Sequence, residues 1–261
     1  MTISIYLINL PKDTQRAERM TRQVAALGSG HVLRKVDAVY GKHLSEEARS
    51  SFYSEGLNRQ QYPLPLVAGE IGCYASHLLV WQMIADGQDE WAMVLEDDVT
   101  LDPKLVPMLN AIAQLPAPSW DMIKLLGRQN EQALKSWPVD DLSQLIRYRR
   151  VPSMTSAYLV SREGARKLSR IRRPFGRPVD VDLRYWWEVP LMIYGLYPYP
   201  VSLDQTSDQS TIGERDRASG LGYRLRKVGL QFKYSVSNWL HGVALSKIAP
   251  YSIHNNGRPI N

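Results

Sequence analysis

The sequence predicts an α/β fold: a mixed, mostly parallel sheet flanked by helices and followed by a basic amphipathic helical tail. Three observations carry this. Short apolar runs at residues 3–9, 91–95 and 157–160 have the length and composition of buried strands. Between them lie segments with apolar residues at helical spacing, and strands alternating with helices build largely parallel sheets. The formal net charge of +6 lies wholly in residues 221–261, which hold Arg224, Arg226, Lys227, Lys233, Lys247 and Arg258 and no acid.

The elements follow in order. Residues 3–9 form a first strand. A helix starting near Asp13 or Thr14 carries Ala17, Met20, Val24 and Leu27 on one side and stops at Gly28. A second strand includes Val32 to Val36, and residues 41–65 read as a polar, loop-like region. Residues 71–85 read as a helix with Leu78, Trp81 and Ile84 or Ala85 inward, leading into the strand that begins at Trp91. Further strands cover residues 120–126 and 157–160. Ser161 is placed to cap the helix that follows, with Glu163 in its first turn. On a helix at about 100° per residue, Leu221, Leu225, Val228, Phe232, Val236, Trp239 and Val243 share one stripe, with Arg224, Arg226, Lys227 and Lys233 around the other side. The simplest division is a catalytic-size domain over residues 1–220 and a basic tail over 221–261.

Composition narrows the class. With 261 residues, 44% hydrophobic and 22% charged, the chain can bury a large core. Cys73 is the single cysteine, which rules out an intramolecular disulfide and a cysteine zinc site and suits a reducing, cytoplasmic setting. The N-terminus lacks the positive region and cleavage site of a signal peptide. The longest uncharged stretches, 189–203 with three prolines and 234–246, fall short of the ~20 residues of a membrane span. The tail suits a peripheral contact with an anionic membrane, and equally a last helix docked on the domain with a solvated basic face. No motif for nucleic acid is present.

The apolar strand from Trp91 delivers Glu96, Asp97 and Asp98 at its carboxyl end, where ligands sit in open α/β sheets. Three adjacent carboxylates repel one another and resist burial, so this placement suits a bound cation. An exposed acidic turn in which Asp97 or Asp98 caps the next helix is the alternative. Strand pleating sends Glu96 and Asp98 to one side if the strand persists that far, which leaves Asp97 the odd member.

Several segments in order resemble glycosyltransferase family 25, the bacterial lipooligosaccharide galactosyltransferases with collagen galactosyltransferases as relatives. They are Ile5 to Leu10 with Arg16 and Arg19, Val36 to Val39, Gly69 to His77, Val94 to Asp98, Thr155 to Ser161, Pro178 to Asp180 and Asp208 to Ile212. The resemblance implies a GT-A fold, a UDP-sugar donor, Mn2+ or Mg2+, inversion at the anomeric carbon and a lipooligosaccharide acceptor, and the basic tail suggests a peripheral anchor at the cytoplasmic face of the membrane, where such an acceptor would be presented.

On that expectation Asp98 ligates the metal, and Glu96 or Asp97 holds the ribose or a metal-bound water. Asp180 takes the acceptor's proton, with Asp182 as the alternative base or a helix cap. His77 contacts the diphosphate or acceptor, or packs as a hydrogen-bonded core histidine. Asn9, Arg16 and Arg19 approach the uridine and its phosphates, Lys124 helps neutralise the diphosphate, and Gln209 and Ser210 lie near the donor. Cys73 reads as buried packing, and Trp186 and Trp187 as core residues rather than acceptor platforms. Two competing functions remain: a metal-dependent phosphatase or phosphotransferase, and a non-catalytic carbohydrate-binding membrane scaffold.

Overall fold

In a computed structural model, residues 2–28, 30–115, 120–128, 130–171, 173–204 and 220–245 are described. In chain order the elements are β1 (Ile3–Asn9), α1 (Thr14–Ala26), β2 (His31–Asp37), α2 (Glu46–Phe52), α3 (Glu55–Gln61), α4 (Ala68–Asp86), β3 (Trp91–Glu96), β4 (Val99–Leu101) and α5 (Leu105–Ala113). There follow β5 (Met122–Lys124), β6 (Ala133–Pro138), β7 (Gln144–Tyr148), β8 (Ala157–Ser161), α6 (Arg162–Ile171), α7 (Val179–Asp182), β9 (Ile193–Tyr197), β10 (Val201–Leu203) and α8 (Leu221–Leu245). Short 3-10 turns cover Gly41–His43 and Leu183–Tyr185.

An eight-stranded sheet has the order β2-β1-β3-β8-β5-β9-β7-β6, and β4 pairs with β10 beside it. Strands β2, β1, β3, β5, β9 and β6 run one way, and β8 and β7 run against them. The sheet is therefore mixed and mostly parallel in direction. Its period-two alternation splits the core in two. Tyr6, Ile8, Ala92, Val94, Tyr158 and Val160 join the cluster that includes Trp81 and Leu168 of α4 and α6. Ile5, Leu7, Met93, Leu95 and Leu159 join the cluster that includes Met20 and Leu109 of α1 and α5. Met93, Val94 and Leu95 have no exposure at all, each contributing roughly 1.5–3 kcal/mol of burial.

Helix α4 is apolar nearly all round, although Leu79, Gln82, Met83 and Asp86 form an exposed face. It buries Ile71, Tyr74, Leu78, Trp81, Ile84 and Ala85 among others, and Val67 N–H donates to Glu70 Oε2 at 3.0 Å to close its first turn. Backbone meets backbone at this end. A Cβ on Gly41 would lie 1.7 Å from Ala68 O, and one on Gly72 would lie 2.4 Å from Val39 O. Only glycine lets the turn after β2 lie against α4.

The structure departs from the sequence reading in places. The loop-like region 41–65 contains α2 and α3, whose N-caps Ser45 and Ser54 accept from Ala48 N and Leu57 N at 3.2 Å. These helices are two turns long, too short to show a periodic apolar face. Strands β4, β6, β7, β9 and β10 lie outside the sequence expectation; β6 is exposed at nearly every position, so it lacks the alternation that marks a strand. The strand expected over 120–126 shrinks to β5, although Asp121 keeps backbone bonds on both sides, its N–H donating to Met192 O at 2.9 Å and its carbonyl accepting from Ser161 N at 3.0 Å, while its carboxylate accepts from Lys167 Nζ at 2.9 Å and Met192 N at 2.8 Å. Ser161 caps α6 as expected, accepting from Gly164 N at 3.0 Å.

Candidate active site

Strands β1 and β3 are parallel neighbours with Ile8 opposite Glu96, so their carboxyl ends open on one edge of the sheet. Antiparallel β8 brings Thr155, Ser156 and Tyr158 to the same edge, and β5 ends there at Lys124, opposite Tyr158. A cleft at this edge is lined by Asn9, Tyr40, Lys42, Cys73, His77 and Glu96 among others.

The three acids part company. Strand β3 ends at Glu96 and a turn carries Asp97 and Asp98, so the pleat does not place Glu96 and Asp98 together. Glu96 Oε1 lies 3.1 Å from His77 Nε2 and accepts from Thr155 Oγ1 at 3.2 Å, while Oε2 accepts from Ser156 Oγ at 3.3 Å. Burial works to raise this carboxyl, but the hydrogen bonds from His77 and the two hydroxyls outweigh it and hold Glu96 below the ordinary glutamate range.

Behind Glu96 runs a buried chain of donors. Trp81 Nε1 donates to Tyr158 Oη at 2.8 Å, and Tyr158 Oη lies 2.9 Å from His77 Nδ1. A carboxylate only accepts, so Nε2 carries the proton toward Glu96 and Nδ1 accepts from Tyr158. His77 is fully buried. Both of its nitrogens are committed, which matches the second of the two sequence expectations, a hydrogen-bonded core histidine, and it orients Glu96.

Asp97, the member hardest to place from sequence, is the most tightly held. Its Oδ2 accepts from Asn9 Nδ2 at 2.6 Å, its Oδ1 from Arg16 Nη1 at 3.1 Å, and its carbonyl from Arg19 Nη2 at 2.6 Å. Arg19 also pairs with Asp204. Asn9, Arg16 and Arg19 thus clasp the acidic turn, an engagement within the chain rather than with a uridine: Arg16 pairs with the Asp97 carboxylate, and Arg19, bonded to the Asp97 carbonyl, pairs with Asp204.

Asp98 is different again. Its Oδ1 is buried with no hydrogen-bond partner among the described residues. Burial, then the charges of Glu96 and Asp97, push its carboxyl up to about 6. A buried acceptor in a negative field is a poor place for a lone carboxylate and a good one for a hard cation's ligand. The donor chemistry fits Mn2+ or Mg2+ with Asp98 Oδ1 as the free ligand and Glu96 as a neighbour already holding three donors. Ligand atoms of Cys73, His77 and Glu96 also lie within 4.8 Å of one another. That trio fits a cation badly, since His77 donates its Nε2 proton to Glu96 and the thiol is pushed well above its usual range by burial and by Glu96, Asp180, Glu70 and Asp98. Cys73 lines the cleft wall and, partly buried, packs against the core cluster as expected.

The same set of charges places Asp180 and Glu70 beside the acids. Asp180 lies in α7, half-buried, its carboxyl raised by burial against the pull of the Val181 backbone N–H and the Lys124 charge. Asp182 is buried and turned away: Tyr74 Oη donates to its Oδ2 at 2.5 Å, and Arg177 Nε lies 3.1 Å from its Oδ1. It is an ion-pair residue and not the helix cap proposed from sequence. Lys124 is buried, and its ammonium donates to Pro152 O at 2.8 Å and to Met154 O. Burial takes it down to about 8, with Asp180 pulling the other way. It braces the β5 edge and lends its charge to Asp180. Gln209 and Ser210 lie outside the described residues. Sequence reasoning left Glu70, Thr155 and Ser156 without roles, although each stands inside a segment singled out as informative.

Comparison with known proteins gives a family match, Glycosyltransferase family 25 (LPS biosynthesis protein), over residues 2–183. Procollagen galactosyltransferase 1-B of Xenopus laevis is 33% identical over 186 residues, 68% of this chain and 30% of that protein. Procollagen galactosyltransferase 2 of Homo sapiens is 32% identical, over 68% of this chain and 29% of its own length. A probable inactive glycosyltransferase 25 family member 3 of Bos taurus is 30% identical, over 68% and 30%. The match thus spans under a third of these relatives. Among solved structures, a Drosophila galactosyltransferase 7 mutant in complex with manganese, UDP-Gal and xylobiose aligns with a TM-score of 0.39 and 9% identity, covering 85% of this chain and 84% of that one. A glycosyltransferase involved in glycosylation of the major capsid of PBCV-1 aligns with a TM-score of 0.40 and 14% identity, over 75% and 81%.

Proposed function

The chain belongs to glycosyltransferase family 25, and from that premise we propose that it is an inverting, metal-dependent hexosyltransferase that moves galactose from UDP-galactose to a sugar of a lipooligosaccharide core in a β linkage. The observation that carries the reading is Asp98: a buried, unpartnered carboxylate oxygen at the carboxyl edge of the sheet, beside a glutamate held ionised. A divalent cation at Asp98, when bound, stabilises the charge developing on the departing diphosphate.

The chain's own residues supply the rest. Glu96, fixed by His77, Thr155 and Ser156, or Asp97, held by Asn9 and Arg16, offers a remaining carboxylate lone pair to the donor's ribose or a water. Asp180 takes the proton from the attacking hydroxyl, because its carboxyl is raised toward the working range and Asp182 is tied to Arg177 and Tyr74. Single displacement by an activated hydroxyl inverts the anomeric carbon.

Names of relatives support galactose as the sugar and the family description supports a lipopolysaccharide acceptor. The test is a donor screen: nucleotide release from UDP-galactose, UDP-glucose and UDP-N-acetylglucosamine with Mn2+, with and without lipooligosaccharide fragments. Acceptor-dependent UDP release selective for UDP-galactose is expected. Phosphate release from simple esters instead would favour a phosphotransferase, and sugar binding without turnover a non-catalytic scaffold.

A further inference from the structure

Helix α8 is mounted inside out. Its polar and aromatic residues face the domain: Arg226 Nη2 donates to Tyr62 O at 2.7 Å and to Asn58 O at 3.3 Å, Asn238 Nδ2 donates to Arg149 O at 2.9 Å, and Trp186 Nε1 donates to Asn238 Oδ1 at 3.4 Å. Tyr234 is buried against Tyr185 and Trp187, and His241 stacks on Trp187. Most of the apolar stripe points the other way, and at its C-terminal end Trp239 and Val243 stand exposed on the rim of a groove shared with Leu134 and Arg149. Leu225 is 64% exposed, Phe232 71% and Trp239 67%, and Val228, Leu240 and Val243 are exposed with them. This overturns the docked-helix alternative in which Leu225, Phe232 and Trp239 complete the domain's core.

An outward stripe of large apolar side chains on a helix already anchored by its polar face is costly in water and calls for a cover. Charge says which. At about 100° per residue, Arg224 and Lys233 fall on the two flanks of the stripe, roughly a quarter-turn from its centre. No acid occurs anywhere from residue 221 to 261. A second copy of this chain would set two such cationic helices face to face, where like charges repel. An anionic lipid surface matches both features, with apolar residues at the acyl boundary and cations at the headgroups. Trp239 suits that interface. With 25 residues the helix runs about 37 Å, and no helix among the described residues is long and apolar enough to cross a membrane, so α8 would lie in the surface plane.

We propose that the outward face of α8, Leu225, Val228, Phe232, Trp239 and Val243 flanked by Arg224 and Lys233, docks the protein peripherally on an anionic membrane. The inference stands on the helix alone and not on the transfer reaction, so its test reads lipid binding without turnover.

Sedimentation with phosphatidylglycerol vesicles and with neutral phosphatidylcholine vesicles, at low and high salt, is the experiment. The full chain is expected to partition onto the anionic vesicles and to be released by salt. Phe232→Ser with Trp239→Ser removes exposed groups only, so the fold should persist while partitioning falls tenfold or more. Arg224→Ala and Lys233→Ala should each lower it about fivefold on anionic vesicles alone. Unchanged binding by all of these variants would overturn the assignment. So would a concentration-dependent dimer that the Phe232 and Trp239 replacements abolish in a protein that ignores vesicles, since a second copy would then be the cover.

Discussion

Asp180 and Asp182 share one short helix and live in opposite surroundings: Asp182 Oδ1 lies 3.1 Å from the buried Arg177 guanidinium, while Asp180, half-buried, feels the charge of Lys124 on one hand and of Glu70 and Glu96 on the other. One is fixed as a structural anion and the other is left poised to take a proton. Asp180→Asn should retain the fold and UDP binding and lose roughly 10² to 10⁴ in transfer rate. Asp182→Asn should instead lower stability by about 3 kcal/mol, because Arg177 loses a buried partner. Denaturant midpoints and rates measured on both variants separate the roles; equal rate losses with equal destabilisation would refute the division.

Asp98 should destabilise the protein when no cation is bound. Its folded carboxyl titrates near 6, above its unfolded value of about 3.9. Below pH 4 it is protonated in both states and costs nothing. As pH rises through 4 to 6 the unfolded state ionises first, so stability is lost across that window and stays lost above it. Asp98→Asn should therefore raise apo stability by on the order of 1–2 kcal/mol at pH 7.5 and by nearly nothing at pH 3.5. The same variant should lose Mn2+-dependent UDP binding. Thermal melts at the two pH values check the first part, and titration calorimetry checks the second.

The chain from Trp81 through Tyr158 and His77 to Glu96 is a unit. Tyr158→Phe removes the oxygen that receives Trp81 Nε1 and serves His77 Nδ1, leaving two buried groups unpaired. Stability should drop by roughly 1–3 kcal/mol, and the imidazole should lose its fixed orientation. NMR of the His77 ring nitrogens distinguishes a lost tautomer preference from simple cavity formation.

Replacement of Gly72 by Ala should be far more damaging than an exposed Gly to Ala change, because its Cβ would meet Val39 O at 2.4 Å and Gly41 N at 2.6 Å. Backbone on both sides cannot yield as a side chain can. Loss of soluble protein, or a shift of the turn after β2 that closes the cleft and removes UDP binding, is expected, with Gly222→Ala as a tolerated comparison.

By itself the sequence determined the strands whose burial is continuous, β1, β3 and β8, and the long helices whose apolar residues repeat at helical spacing, because these patterns are local. It also located the acidic triplet at a strand end, since residue type and position suffice for that. It could not find β6, whose exposed residues show no alternation, or α2 and α3, two turns each, which announce themselves only through their serine caps. Nor could it sort three adjacent acids. Whether a carboxylate becomes a clasp, an oriented acceptor or a free ligand depends on partners 59 to 88 residues away, such as Thr155 for Glu96 and Asn9 for Asp97, which only the folded sheet edge brings within hydrogen-bond reach. The same holds for α8. Its amphipathic pattern was legible, but which face meets the domain was decided by Arg226, Tyr234 and Asn238 finding carbonyls and rings on distant segments.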